Sequence, residues 1–164
     1  MELKDQVAIV TGGTRGIGYG IAKALLLEGA NVFVCGRQEA GLRTALRALP
    51  SGGKGLADGI TADVSRHQDC RKLVEAAVER FGKIDILVNN AGVGHTYKPI
   101  DQISPEVWNA TIGTNLSGTF YCCREAVPHM RKAGAGYIFN ISSTAAVALF
   151  PGGSAYNASK TGVS

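Results

Sequence analysis

The stretch Val7-Ala8-Ile9-Val10-Thr11-Gly12-Gly13-Thr14-Arg15-Gly16-Ile17-Gly18 joins a short apolar run to a glycine-rich turn. The turn opens an amphipathic segment carrying Ile17, Ile21, Ala24 and Leu25. Apolar run, glycine turn and amphipathic segment in that order predict strand, turn and helix. Glycines at 12, 16 and 18 let a ligand come close to the main chain. The unpaired N–H groups at a helix start, with the helix dipole behind them, favour an anion such as a pyrophosphate. A glycine-rich turn alone is weak evidence in a chain with 22 glycines. The strand before it and the helix after it favour a dinucleotide site over a plain connection. The spacing is Gly-x-x-x-Gly-x-Gly, not the commonest Gly-x-Gly-x-x-Gly.

Outward from this stretch, apolar and helical patterns alternate. Strands are expected over 7–10, 31–35, 55–62, 84–88 and 137–141. Helices are expected over 18–28, 39–49 and 66–81, with a long one from Ser104 and Pro105 onward. For the long helix the expected inner stripe is Trp108, Ile112, Leu116, Phe120, Cys123 and Val127. This alternation gives an α/β fold: a Rossmann-like, doubly wound parallel sheet in one domain over 1–164.

Length and composition fit a globular chain. The 164 residues are 45% hydrophobic and 18% charged, with a net charge of +4. The basic residues are scattered among acids, so a nucleic-acid partner is not expected. No apolar stretch is long enough to span a membrane. The charged start, Glu2-Leu3-Lys4-Asp5, lacks the apolar core of a secretory leader. Cys35, Cys70, Cys122 and Cys123 show no metal spacing, and no metal is expected. Buried, reduced thiols in a cytoplasmic protein are the expectation.

Several residues carry chemistry. The second strand ends Val34-Cys35-Gly36-Arg37-Gln38, without the acid that takes ribose hydroxyls in an NAD site. Arg37 and Arg15 suit a 2′-phosphate, since guanidinium binds phosphate in a forked geometry; otherwise they are solvated surface charges. Asp63, before Val64, suits a helix cap. Asn89-Asn90-Ala91-Gly92 closes the fourth strand. His95, in the following loop, reads as a solvated residue and not a base. Asn115 is a poor helix residue in mid-helix and needs a partner if buried. Ser142 and Ser143 follow the fifth strand. Tyr156 and Lys160, four apart, share one helix face. That pair alone arises easily by chance.

Taken together and in order, the glycine loop, Asn-Asn-Ala-Gly, Asn115, Ser143 thirteen residues before Tyr156, and Lys160 resemble the short-chain dehydrogenase/reductase family from about residue 7 to the end. The resemblance implies strand order 3-2-1-4-5. It implies that Gly12, Thr14, Arg15, Gly16, Ile17 and Gly18 hold the cofactor, with Arg37, Asp63, Val64, Asn90, Ala91 and Gly92. Asp63 would help hold the adenine ring, and the two arginines imply NADP in preference to NAD. Tyr156 would be the acid/base in interconverting a carbonyl and a secondary alcohol. Lys160 would favour the phenolate and hold the ribose hydroxyls. Ser143 would bond the substrate oxygen, and Asn115 would hold a water near Lys160 by bending its helix.

The resemblance also implies a small-molecule substrate and a homodimer or homotetramer of the full-length form. A 3-oxoacyl-carrier-protein reductase is the nearest style of relative. Against it, residues 93–97 read Val-Gly-His-Thr-Tyr and not Ile-Thr-Arg-Asp. An NAD-dependent alcohol, sugar or steroid dehydrogenase, or a binding fragment or sensor without turnover, are the alternatives. The chain stops one turn past Lys160, without the family's usual sixth and seventh strands, and is expected to be truncated there.

Overall fold

The computed structural model describes residues 3–50, 55–94, 98–148 and 150–164. His95 and Tyr97 lie outside the described residues. Five parallel strands form one sheet: β1 (Val7–Thr11), β2 (Asn31–Gly36), β3 (Ala57–Thr61), β4 (Ile86–Asn89) and β5 (Tyr137–Asn140). Their order is β3-β2-β1-β4-β5, as expected. Between them run α1 (Gly16–Leu27), α2 (Glu39–Ala48), α3 (His67–Phe81), α4 (Pro105–Ile112) and α5 (Gly118–Ala133), with α6 (Ser154–Val163) last.

The strands of a parallel sheet bury both faces, so they read as continuous apolar runs. Here β1 and its neighbours divide their side chains by alternation. Ala8, Val10, Val32, Val34, Ile86 and Val88 meet Ala22 and Leu26 of α1 and Leu42 of α2. Ile9, Phe33, Cys35 and Leu87 face the opposite way, against Leu73 and Ala77 of α3 and Cys122, Ala126 and Met130 of α5. Ile9 and Leu87 lie side by side in register, and both are fully buried.

Helix ends follow their local chemistry. Gly29, just past α1, takes φ +97°, and Gly82 closes α3 at φ +81°. Ser104 Oγ accepts from Val107 N at 3.4 Å, and Pro105 occupies the first position of α4.

The long helix meets one expectation, a local distortion at Asn115, and departs from another, its inner stripe. It is broken by a π turn, Gly113–Ser117, where Gly118 N bonds Gly113 O five residues back. The inner stripe is shifted. The residues buried are Thr111, Asn115, Gly118, Cys122, Ala126 and Met130. Trp108 is 41% exposed and Phe120 57% exposed. Small residues face inward because α5 packs directly on α3. At Gly118 a Cβ would meet Val64 Cγ2 at 2.8 Å. Of the expected stripe, Trp108 and Phe120 are exposed, while Ile112, Leu116, Cys123 and Val127 are half-buried. At the sheet's edge, Tyr137, Ile138 and Phe139 of β5 are exposed, as an uncovered edge strand predicts.

Leu87→Ala is expected to cost about 2–5 kcal/mol, from lost burial plus the cavity left behind. Phe120→Ala is expected to stay within about 0.5 kcal/mol. Urea unfolding of both variants reads the difference; equal losses would mean that the outer stripe is packed.

Candidate functional site

The carboxyl ends of β1, β2, β3 and β4 open into one cleft of about 310 Å³. The glycine turn supplies Gly12, Thr14, Arg15, Gly16, Ile17 and Gly18; Arg37 follows β2, Asp63 and Val64 follow β3, and Asn90, Ala91 and Gly92 follow β4. All twelve of these residues were singled out in the sequence. Cys35, Gly36, Ala62, Val93 and Thr114 also line the cleft and were not. The rule that ligands sit beyond the carboxyl ends of parallel strands would have found Cys35, Gly36 and Ala62.

The turn is held by a clasp between β1 and β4. Thr11 Oγ1 accepts from Asn90 N and Ala91 N, each at 3.0 Å, and donates to Val88 O at 3.3 Å. Asn90 Nδ2 donates to Thr11 O at 2.9 Å and to Gly12 O at 3.3 Å. Gly12 sits at φ +64°. At Gly18 a Cβ would fall inside contact distance of Gly12 O and Asn90 Nδ2. Arg15, the residue before α1, is extended and gives no side-chain cap. The first N–H groups of α1 are thus uncapped by the protein and suit an anion. This observation fits the residues to a dinucleotide's pyrophosphate.

Beside the cleft lies an open basin lined by Thr14, Arg15, Arg37, Gln38 and Thr44. It brings the two arginines together. Asp63 divides its duties: its Oδ1 accepts from Ser65 N at 3.0 Å and Ser65 Oγ at 2.7 Å, while its residue still lines the cleft. Cys35 is fully buried, and that burial pushes its thiol up to about 12, so it stays protonated.

None of Asn115, Ser143, Tyr156 and Lys160 lines the cleft. Asn115 adjoins two of its lining residues, following Thr114 in the chain and bonding Val93. Asn115 lies in the π turn and is fully buried. Its Oδ1 accepts from Val93 N at 2.8 Å; its Nδ2 donates to Val93 O at 3.1 Å and to Ser159 Oγ at 3.1 Å. Its own carbonyl accepts from Thr119 Oγ1 at 2.9 Å. Ser143 Oγ accepts from Ala145 N at 3.1 Å and caps a short 3₁₀ turn, Thr144–Ala146. Tyr156 and Lys160 share α6, with the ammonium 5.9 Å from the centre of the Tyr156 ring. Lys160 is 6% exposed and donates to Ile141 O at 2.6 Å. Burial lowers its pKa from the ordinary lysine value.

The model of the family described as short chain dehydrogenase matches residues 6–164, and the chain belongs to that family. It is 40% identical over 162 residues to the D-beta-hydroxybutyrate dehydrogenase of Cupriavidus necator, covering 98% of this chain and 62% of that protein. It is 38% identical over 161 residues to the 3beta-hydroxysteroid dehydrogenase of Mediterraneibacter gnavus, covering 98% of this chain and 57% of that one. The crystal structure of a metagenomic short-chain oxidoreductase in complex with NADP matches with a TM-score of 0.91 at 38% identity, over 98% of this chain and 72% of that chain. The chain thus spans about three fifths of the length of these two curated relatives. Among the described residues no helix is long and apolar enough to cross a membrane.

Two outcomes test this geometry. Thr11→Val removes the acceptor of two main-chain N–H groups and is expected to cost about 1–3 kcal/mol in urea unfolding. Unchanged stability would mean that water replaces the hydroxyl. For Lys160, the folded pKa lies below the unfolded one. The cost of burying the ammonium is fully present below the folded pKa and is relieved as pH rises toward the unfolded value. Wild-type stability minus that of Lys160→Met should therefore climb as pH rises toward about 10.4. A flat difference would mean no depression.

Proposed function

We propose that the chain is the cofactor-binding and catalytic part of an NADP(H)-dependent oxidoreductase that interconverts a carbonyl and a secondary alcohol. Residues 1–164 are read as one dinucleotide-binding domain. The observation that carries the cofactor preference is the basin shared by Arg15 and Arg37 beside the cleft, with no acid at the end of β2. A 2′-phosphate in that basin would meet two guanidinium groups and the Thr14 hydroxyl. An NADP complex of a protein 38% identical to this one supports the same preference.

When bound, the nicotinamide supplies or takes the hydride. The chain's residues manage the proton. Tyr156 donates it to the substrate oxygen in reduction and removes it in oxidation. A free phenol has a pKa of about 10, too high for a base near neutral pH. The Lys160 ammonium stabilises the phenolate through space. Its main-chain acceptor, Ile141 O, holds the ammonium from the β5 side. Ser143 Oγ accepts from Ala145 N and donates its own O–H to the same substrate oxygen, steadying the charge developing there. Asn115 keeps the π turn open beside Val93 and so supports a water route to Lys160.

The substrate class stays as coarse as the chemistry. Relatives named for a hydroxysteroid and for a hydroxybutyrate are nearly equally identical to this chain, at 38% and 40%. A putative ketoacyl reductase of Streptomyces coelicolor is 43% identical over 164 residues and keeps a ketoacyl substrate among the readings, and the closeness of the three identities supports a shared cofactor half. Self-association as a homodimer or homotetramer fits the outward aromatic residues of α4 and α5, and a reducing, cytoplasmic setting fits four unpaired cysteines.

Titration with NADPH and NADH, on wild type and Arg37→Ala, tests the reading. NADPH is expected to bind more tightly. Arg37→Ala should weaken NADPH by about 10–100-fold, as loss of charge-assisted bonds implies, and leave NADH within about twofold. Equal weakening of both cofactors would overturn the assignment of Arg37. No binding of either would mean that residues 1–164 alone do not form the cofactor site and would remove the reading for this chain.

A further inference from the structure

One buried hydroxyl in this region has no role in the chemistry above. Ser159 is fully buried in α6, one residue before Lys160. Its Oγ accepts from Asn115 Nδ2 at 3.1 Å and donates to Tyr156 O at 2.8 Å. Asn115 is itself tied to Val93 through both ends of its amide. A continuous polar chain therefore runs from the loop after β4, through the π turn, to the turn of α6 that carries Tyr156 and Lys160.

Beside this polar chain, α6 and the π turn also meet through an apolar contact. Leu116 packs so closely on Gly162 that a Cβ there would lie 3.0 Å from Leu116 Cδ2. Such packing sets how near two helical segments come. It is non-directional and leaves their rotation and sliding loosely defined. A hydrogen bond with fixed donor and acceptor adds direction. Asn115 is also where the helix is widened by the π turn, so its side chain stands at a point specified by the backbone.

We infer that Ser159 is a positioning residue: its hydroxyl sets the register of α6 against the π turn and so places the Tyr156 ring and the Lys160 ammonium. The inference rests on the reading of Tyr156 as the acid/base group. Without the hydroxyl, Asn115 Nδ2 loses one of its two acceptors in a buried site, and α6 loses a directional tie beside the Leu116–Gly162 contact. The ammonium then spends less time near the phenol oxygen.

The test needs no substrate. The ionisation of Tyr156 is followed by tyrosinate absorbance near 295 nm in the full chain, with Tyr156→Phe subtracted, for wild type, Ser159→Ala and Ser159→Thr. The wild-type midpoint is the reference. Ser159→Ala should raise that midpoint by about one pH unit while NADPH affinity stays within about twofold; Ser159→Thr, which keeps the hydroxyl, should restore it. A lowered wild-type midpoint that Ser159→Ala leaves unmoved would overturn the inference alone. So would a shift that Ser159→Thr does not reverse, since that marks general loosening. A wild-type midpoint near the free-phenol value of about 10 would overturn the acid/base reading of Tyr156 and the inference with it. Should Ser159→Ala not fold, Ser159→Cys, of nearly the same size but a weaker acceptor, is read by the same criteria.

Discussion

Helix α1 starts hard against the ends of β1 and β4, at a point where Gly18 faces the carbonyl of Gly12 and the amide of Asn90. A side chain on residue 18 would hold the helix off. With the helix away, the uncapped N–H groups of its first turn would no longer converge on the cleft. The polar clasp depends on the same approach: the Asn90 amide reaches both Thr11 O and Gly12 O only because the turn lies that close. One steric constraint thus sets where the first turn of α1 points and how the loop after β4 borders the cleft.

The far end of the site is built differently. There the chain uses side-chain amides and hydroxyls where the near end uses missing side chains. Asn115, held in a π turn, bonds Val93 and Ser159, and Lys160 reaches a main-chain carbonyl beyond β5. Buried polar groups of this kind are costly when unpaired, so each bond also excludes alternative packings. Lys160 shows the tension most plainly. Its burial disfavours the charge that its proposed task requires, and the carbonyl of Ile141 offsets part of that cost.

The sheet divides the core by simple alternation, yet helix α5 could not be read the same way. Its large apolar residues form a helical stripe at the right spacing, and a stripe of that kind is ordinarily turned inward. In this fold the inward face carries Gly118, Cys122, Ala126 and Met130, and at Gly118 Val64 comes too close for any side chain. There size, set by the neighbouring element, outweighed hydrophobicity. The outward Phe120 and Trp108 follow from the same geometry.

What the sequence by itself determined was the alternation of elements, the parallel sheet, the glycine turn and the order of the motif residues. Each depends on local signals: apolar runs of strand length, a glycine cluster before an amphipathic helix, Ser-Pro at a helix start. Of the twelve cleft residues, the glycines of the turn and Arg37 were legible as local features of strand ends and a helix start, and the others through the family resemblance. Only the tertiary structure decided which face of α5 is buried, that Thr11 and Ser159 join elements 79 and 44 residues away in sequence, and that Asp63 serves Ser65 as well as the cleft. Those facts depend on distances between segments remote in the chain, and residue order along one chain carries no direct measure of such distances.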